Sequence, residues 1–146
     1  MNAIIVGCSQ RKAGCGEYAA LDLYEGGCLP QLRSRVHAHP SLRDRIFILS
    51  ARYGLVGAND LIASYDQHMT LARARELTCS IGNALTGRVL VAPHPCELVV
   101  LVEPIYLAAL TELFRADVRP QVHWFPEPAE DWPAACNVID SWGWPG

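Results

Sequence analysis

Four short apolar runs punctuate the chain, each bounded by polar or turn residues: 3–8 (AIIVGC), 45–50 (RIFILS), 97–102 (ELVVLV) and 120–125 (PQVHWF). Runs of this length, rich in β-branched residues, predict strands. A further run, 87–92 (GRVLVA), predicts an edge strand or an extended lead-in to the third. The segments between them read as helices. Residues 17–38 supply one helix or two, divided near Gly26 and Gly27. Thr70 suits the N-cap of a helix running to about Leu85, and Pro104 the first turn of a helix through Phe114. Asp131 to Trp142 add a short C-terminal helix.

Strands alternating with helices predict a compact α/β three-layer sandwich, with a mostly parallel sheet of four or five strands and helices on both faces. No repeat, low-complexity stretch or linker divides the chain, so a single domain over residues 1–146 is expected. Right-handed crossovers leave the carboxyl ends of the parallel strands on one edge, where ligands bind at the point of reversed strand order. Four polar segments are expected to meet there: Cys8 to Lys12, Ser50 to Gly54, Glu103 to Tyr106, and Pro126 to Pro128.

Composition narrows the class. A hydrophobic fraction of 51% with 18% charged residues fits a globular protein and argues against disorder. No apolar run has the length of a membrane span, and MNAIIVG lacks the basic segment and cleavage site of a signal peptide. The expectation is a cytoplasmic protein with no membrane partner, whose six cysteines are free thiols. A zinc site from Cys8, Cys15, His94 and Cys96 matches no structural zinc spacing, so no metal is assigned, and no cofactor is demanded. The net charge of −3 offers no general attraction to a polyanion. Nucleic acid stays open as a partner through a local patch of Arg33, Arg35, Arg43 and Arg45, whose plainer explanation is a solvated helix face.

The strand-end stretch GCSQRK places a thiol, a hydroxyl, an amide and two cations together. Backbone N–H groups at such a strand end cradle anions, and Arg11 and Lys12 add charge. Ser9, Gln10 and Arg11 are therefore substrate-binding candidates, and Lys12 a catalytic one. The alternative is a solvated basic turn. Cys8 is a candidate nucleophile, ranked below a packing or substrate-lining role. In SARYGLVGANDLIASYDQHMT, Arg52 and Tyr53 offer a cation and an aromatic face to a flat ligand, Gly54 and Gly57 let the backbone turn tightly, and Ser50, Gly54 and Tyr65 join the substrate-binding candidates. Asp66, after Tyr65, is a base, nucleophile or electrostatic partner, or else caps the next helix. Tyr24 and Tyr106 complete the binding set. His68 is close enough in sequence to move a proton but reads more plainly as a surface residue.

These motifs carry a resemblance. The CSxxK of Cys8, Ser9 and Lys12, the DLY of Asp22, Leu23 and Tyr24, and LSARYGL followed by IASYD look like a group of small bacterial and phage proteins. That group is similar in turn to the YaaA proteins of peroxide stress. More loosely, CSxxK resembles the PCSxxK signature of archaeosine synthase, which works on a deazaguanine base in RNA. The resemblance spans about residues 3–110 and implies a compact α/β fold with a pocket built from the matched residues. Ser64 stands where a proline is expected before Tyr65, and the last 25 or so residues lie outside the likeness.

The leading expectation is an enzyme, a hydrolase or transferase, on a nucleobase, nucleoside or nucleotide. It would cleave or exchange an N-glycosidic bond, with Ser9 to Lys12 holding an anion and Asp66 stabilising an oxocarbenium-like centre. The alternatives are a DNA- or RNA-binding stress protein of YaaA type, or a non-catalytic small-molecule-binding subunit. A homo-oligomer is open.

Overall fold

The computed structural model describes residues 2–91, 94–115 and 119–146. The chain opens with strand β1 (Asn2–Gly7), then a short strand β2 (Glu17–Ala19) and helices α1 (Ala20–Leu23), α2 (Leu29–Val36) and α3 (Pro40–Arg43). It returns as β3 (Ile46–Ser50), turns tightly into β4 (Gly54–Gly57), and continues through β5 (Leu61–Ala63) to helix α4 (Leu71–Ala84). A π-helical turn over Leu85–Val89 ends that helix. There follow β6 (Glu97–Leu101), α5 (Pro104–Leu107), α6 (Thr111–Arg115), β7 (Gln121–Phe125) and α7 (Trp132–Ser141).

The result is an α/β fold around a five-stranded sheet of order β4-β3-β1-β6-β7, parallel except for β4. Strands β2 and β5 form a separate antiparallel pair. Apolar side chains point both ways along the inner strands. Ala3 and Ile5 of β1, Phe47 and Leu49 of β3, and Leu98 and Val100 of β6 pack under α4 and the α5–α6 segment. Their neighbours Ile4, Val6, Ile46, Ile48, Val99 and Leu101 pack under α1, α2 and α7. Strands buried on both faces read as continuous apolar runs, which is why these three stand out in the sequence.

Four local expectations are corrected. GRVLVA is not an edge strand: its first residues complete the π-helical turn, and Ala92 lies outside the described residues. Leu85 and Val89 are buried against α4 and the sheet, so the apolar run is a helical face. The edge strand is instead β4, GLVG, whose two flanking glycines gave it the look of a loop. Residues 17–38 hold two helices divided near Gly26 and Gly27 as expected, because Tyr24 is extended and the glycines turn the chain before α2, but Glu17–Ala19 is strand β2 where helix was expected. Residues 104–114 divide into α5 and α6 through turns in which Ala109 and Leu110 N–H donate to the Tyr106 and Leu107 carbonyls at 3.0 Å. The cap at Thr70 is present, its Oγ1 accepting from Arg73 N–H at 3.1 Å. Among the described residues no helix is long and apolar enough to cross a membrane.

Candidate functional site

In the sheet order, β3 lies on one side of β1 and β6 on the other, so the winding reverses between β1 and β6. A cavity of about 650 Å³ opens there, at the carboxyl ends of the parallel strands. Three strand-end loops wall it: Gly7 to Gln10 after β1, Glu103 to Tyr106 after β6, and Pro126 to Glu130 after β7. Gly27, Cys28 and Gln67 to Met69 close the remaining side.

Each wall has a local cause. Cys8 prolongs β1 by donating its N–H to Leu49 O at 3.0 Å, which fixes its side chain at the cavity's inner end. There Cys8 Sγ meets Tyr106 Oη at 3.2 Å. Beyond it, Ser9 Oγ donates to Arg11 O at 2.9 Å and accepts from Gly26 N–H at 3.2 Å. A Cβ at Gly26 would sit 3.0 Å from Ser9 Cβ, so the two loops approach this closely only with glycine there. Gln10 Nε2 lies 2.8 Å from His68 Nδ1, tying the first loop to the segment before α4.

Behind this wall runs a chain of hydroxyls. Ser50 is fully buried, and its Oγ accepts the N–H groups of Arg52 and Tyr53 at 3.2 and 3.0 Å. Ser50 Oγ then donates to Tyr65 Oη at 2.8 Å, and Tyr65 Oη lies 2.7 Å from Tyr24 Oη. Lys12 Nζ rests 4.3 Å from the Tyr65 ring centroid and donates to Gln10 O at 3.1 Å. Tyr53 packs edge-on against Tyr65 at 5.6 Å. Arg73 clamps the same turn, donating to the carbonyls of Ala51 and Arg52 at 2.8 and 2.9 Å. Gly54 closes it at φ +77°, a conformation that side chains strain.

Burial sets the electrostatics of these phenols. It pushes Tyr24 up to about 12, against the lowering effect of its bond to Tyr65. Burial first, and then the charge of Cys8, holds Tyr65 and Tyr106 well above the ordinary tyrosine range. All three phenols therefore remain protonated donors at neutral pH. Burial likewise pushes Cys28 up to about 12, leaving it a small apolar side chain. On the outer wall Glu127 is raised because it shares a hydrogen bond with Glu130, like charges crowding one another.

Of the residues predicted from sequence, Cys8, Ser9, Gln10 and Tyr106 line the cavity. Tyr24, Ser50, Tyr65 and Lys12 form the cluster behind it. Gly54, Arg52 and Tyr53 belong to the turn after β3, which lies outside the cavity lining. The expected meeting of four loops is thus a meeting of three. Arg11 is exposed and outside the lining, and Asp66 is fully solvent-exposed, 4.0 Å from His68 Nε2 and beyond hydrogen-bond reach. Nor does Asp66 cap α4, since Thr70 does.

Residues that sequence reasoning passed over include Glu130, Gln67, Met69, Gly27 and Cys28. The Gly26-Gly27 pair and the prolines at 126 and 128 were their available signals. Three of the four arginines of the expected patch are engaged within the chain. Arg33 donates to Leu21 O and Tyr24 O at 3.1 and 3.2 Å, Arg43 grips Asp22 with both terminal nitrogens at 3.3 Å, and Arg35 pairs with Asp140. Among the described residues no group of three or more His, Cys, Asp or Glu is placed to hold a metal.

Fold and cavity define an α/β protein with a switch-point pocket whose inner wall is thiol and phenol and whose outer wall is carboxylate. The chain belongs to DUF6884, a family of unknown function, whose model matches residues 3–121. No curated protein and no solved structure matches it. The family match ends before the Pro126 to Glu130 wall.

Proposed function

We infer that this protein is an enzyme acting on a nucleobase or nucleoside, and that it cleaves or exchanges an N-glycosidic bond. The observation that carries this is the switch-point cavity, in which Glu103, His68 and the Cys8–Tyr106 pair line one space. Its volume of about 650 Å³ suits a small molecule of base-plus-sugar size. Breaking the bond builds positive charge on the sugar, which a carboxylate stabilises. Glu103 takes this role, because it faces the cavity and Asp66 does not. His68 has its Nδ1 occupied by Gln10, which leaves Nε2 to pass a proton to the departing base nitrogen while water or another acceptor takes the sugar. Tyr106, kept protonated by burial, donates a hydrogen bond to the ligand or to Cys8.

The similarity to YaaA proteins, carried chiefly by the LSARYGL and SYD block, and the looser one to archaeosine synthase, carried by Cys8, Ser9 and Lys12, belong to this proposal, as does a cytoplasmic location in which the thiols stay reduced. The test is a screen of nucleosides and nucleotides for free-base release, followed by Glu103→Gln. A fall of about 100-fold or more in turnover is expected. Binding without turnover would indicate a non-catalytic subunit. No binding of any nucleoside, with salt-sensitive DNA binding instead, would favour the nucleic-acid reading.

A further inference from the structure

We propose that the cavity selects ligands without phosphate, a nucleoside or free base rather than a nucleotide, and that Glu103, Glu127 and Glu130 make the selection. The inference rests on the nucleoside reading above and narrows it. The acidic side chains of the described lining are these three carboxylates, and no lysine or arginine lines the space. The two cations nearest in sequence are committed or turned away. Lys12 Nζ donates to Gln10 O and lies over the Tyr65 ring, and Arg11 is exposed outside the lining. His68, the remaining titratable nitrogen base of the lining, is bonded to Gln10.

Carboxylates only accept hydrogen bonds, so the outer wall asks the ligand to bring donors. Sugar hydroxyls and exocyclic amino groups do so; a phosphate brings only acceptors and two negative charges. The crowding of Glu127 by Glu130 sharpens the point, because a phosphate would add like charge to an already crowded pair and a ligand donor would relieve it. Asp131 is spoken for: its Oδ2 accepts Glu127 N–H at 3.0 Å and shapes the loop. Glu127 and Glu130 lie beyond the stretch matched by the family model and Glu103 within it, so two of the three carboxylates come from a part of the chain outside that match.

The experiment titrates the intact protein calorimetrically with a panel of nucleosides, their 5′-monophosphates and inorganic phosphate, and repeats the series with Glu127→Gln/Glu130→Gln. The nucleoside should bind roughly ten- to hundredfold tighter than its monophosphate. Inorganic phosphate should not compete, and the gap should narrow in the double variant and at high salt. A monophosphate that binds as tightly as its nucleoside, or a gap that the double variant leaves unchanged, overturns charge selection while leaving the nucleoside reading intact. If neither nucleoside nor nucleotide binds, the nucleoside reading itself falls and takes this inference with it.

Discussion

The turn after β3 and the loops after β6 and β7 emerge from the same edge of the same sheet, yet they are built for opposite purposes. In the turn, Ser50 Oγ takes two backbone N–H groups, Arg73 takes two carbonyls, and Tyr65 covers the result. Its polar groups are spent within the protein. In the loops, Glu103, Glu127 and Glu130 are exposed and face a cavity. The turn carries the most distinctive sequence block of the chain, and the loops carry almost none. Distinctive residues here mark a place where the backbone must be held, and the ligand-facing residues are ordinary ones delivered by topology.

Substitutions separate the two regions, and the largest effect belongs to the turn. Ser50→Ala leaves two N–H groups and one phenol without their partner in a buried setting, and should cost about 3 kcal/mol. Urea unfolding measures this; a loss under about 1 kcal/mol would mean the turn is not the anchor described. Tyr65→Phe removes both links of the hydroxyl chain and keeps the ring, so about 1–2 kcal/mol is expected by the same measurement. Retained stability would show that Ser50 finds another acceptor.

Alkali probes the same region by a different route. Burial holds Cys28 and the three phenols protonated, whereas the unfolded chain ionises them from their ordinary values of 9.0 and 10.0. Above those values the unfolded state binds fewer protons than the folded one, so stability falls as pH rises, continuing to about 12 for Cys28 and Tyr24. Tyr65→Phe should flatten this decline, and an equal slope in both proteins would contradict it. The smallest change is expected in the open loops. Glu130→Gln should alter stability by no more than about 0.5 kcal/mol, because the side chain is exposed and its partner is a like charge. A larger loss would make the acidic wall structural and erase the contrast.

The legible and the hidden parts of this molecule divide along the same line. AIIVGC, RIFILS and ELVVLV announce themselves because both faces of β1, β3 and β6 are buried. Thr70 and Pro104 are readable because capping and helix initiation are local chemistry. GLVG was unreadable as a strand, since its pairing with β3 is a tertiary fact that glycines argue against locally. GRVLVA failed for the converse reason, a helical face that shows strand-like composition. Cys8, Ser9, Gln10 and Tyr106 reach the cavity because they sit immediately after strands or in a first helical turn. Asp66 lay in the most specific motif, but motif position says nothing about which way a loop carboxylate faces.

The buried serine has one more consequence, which is a matter of counting. Both lone pairs of Ser50 Oγ are filled by main-chain amides, so its single hydrogen must go to Tyr65. Ser50, Tyr65 and Tyr24 own three hydrogens between them but share only two links, so one phenolic hydrogen is left pointing out of the chain. The backbone of the turn thus fixes the first hydrogen of the row and leaves one phenolic hydrogen, on Tyr65 or on Tyr24, to find a partner outside it.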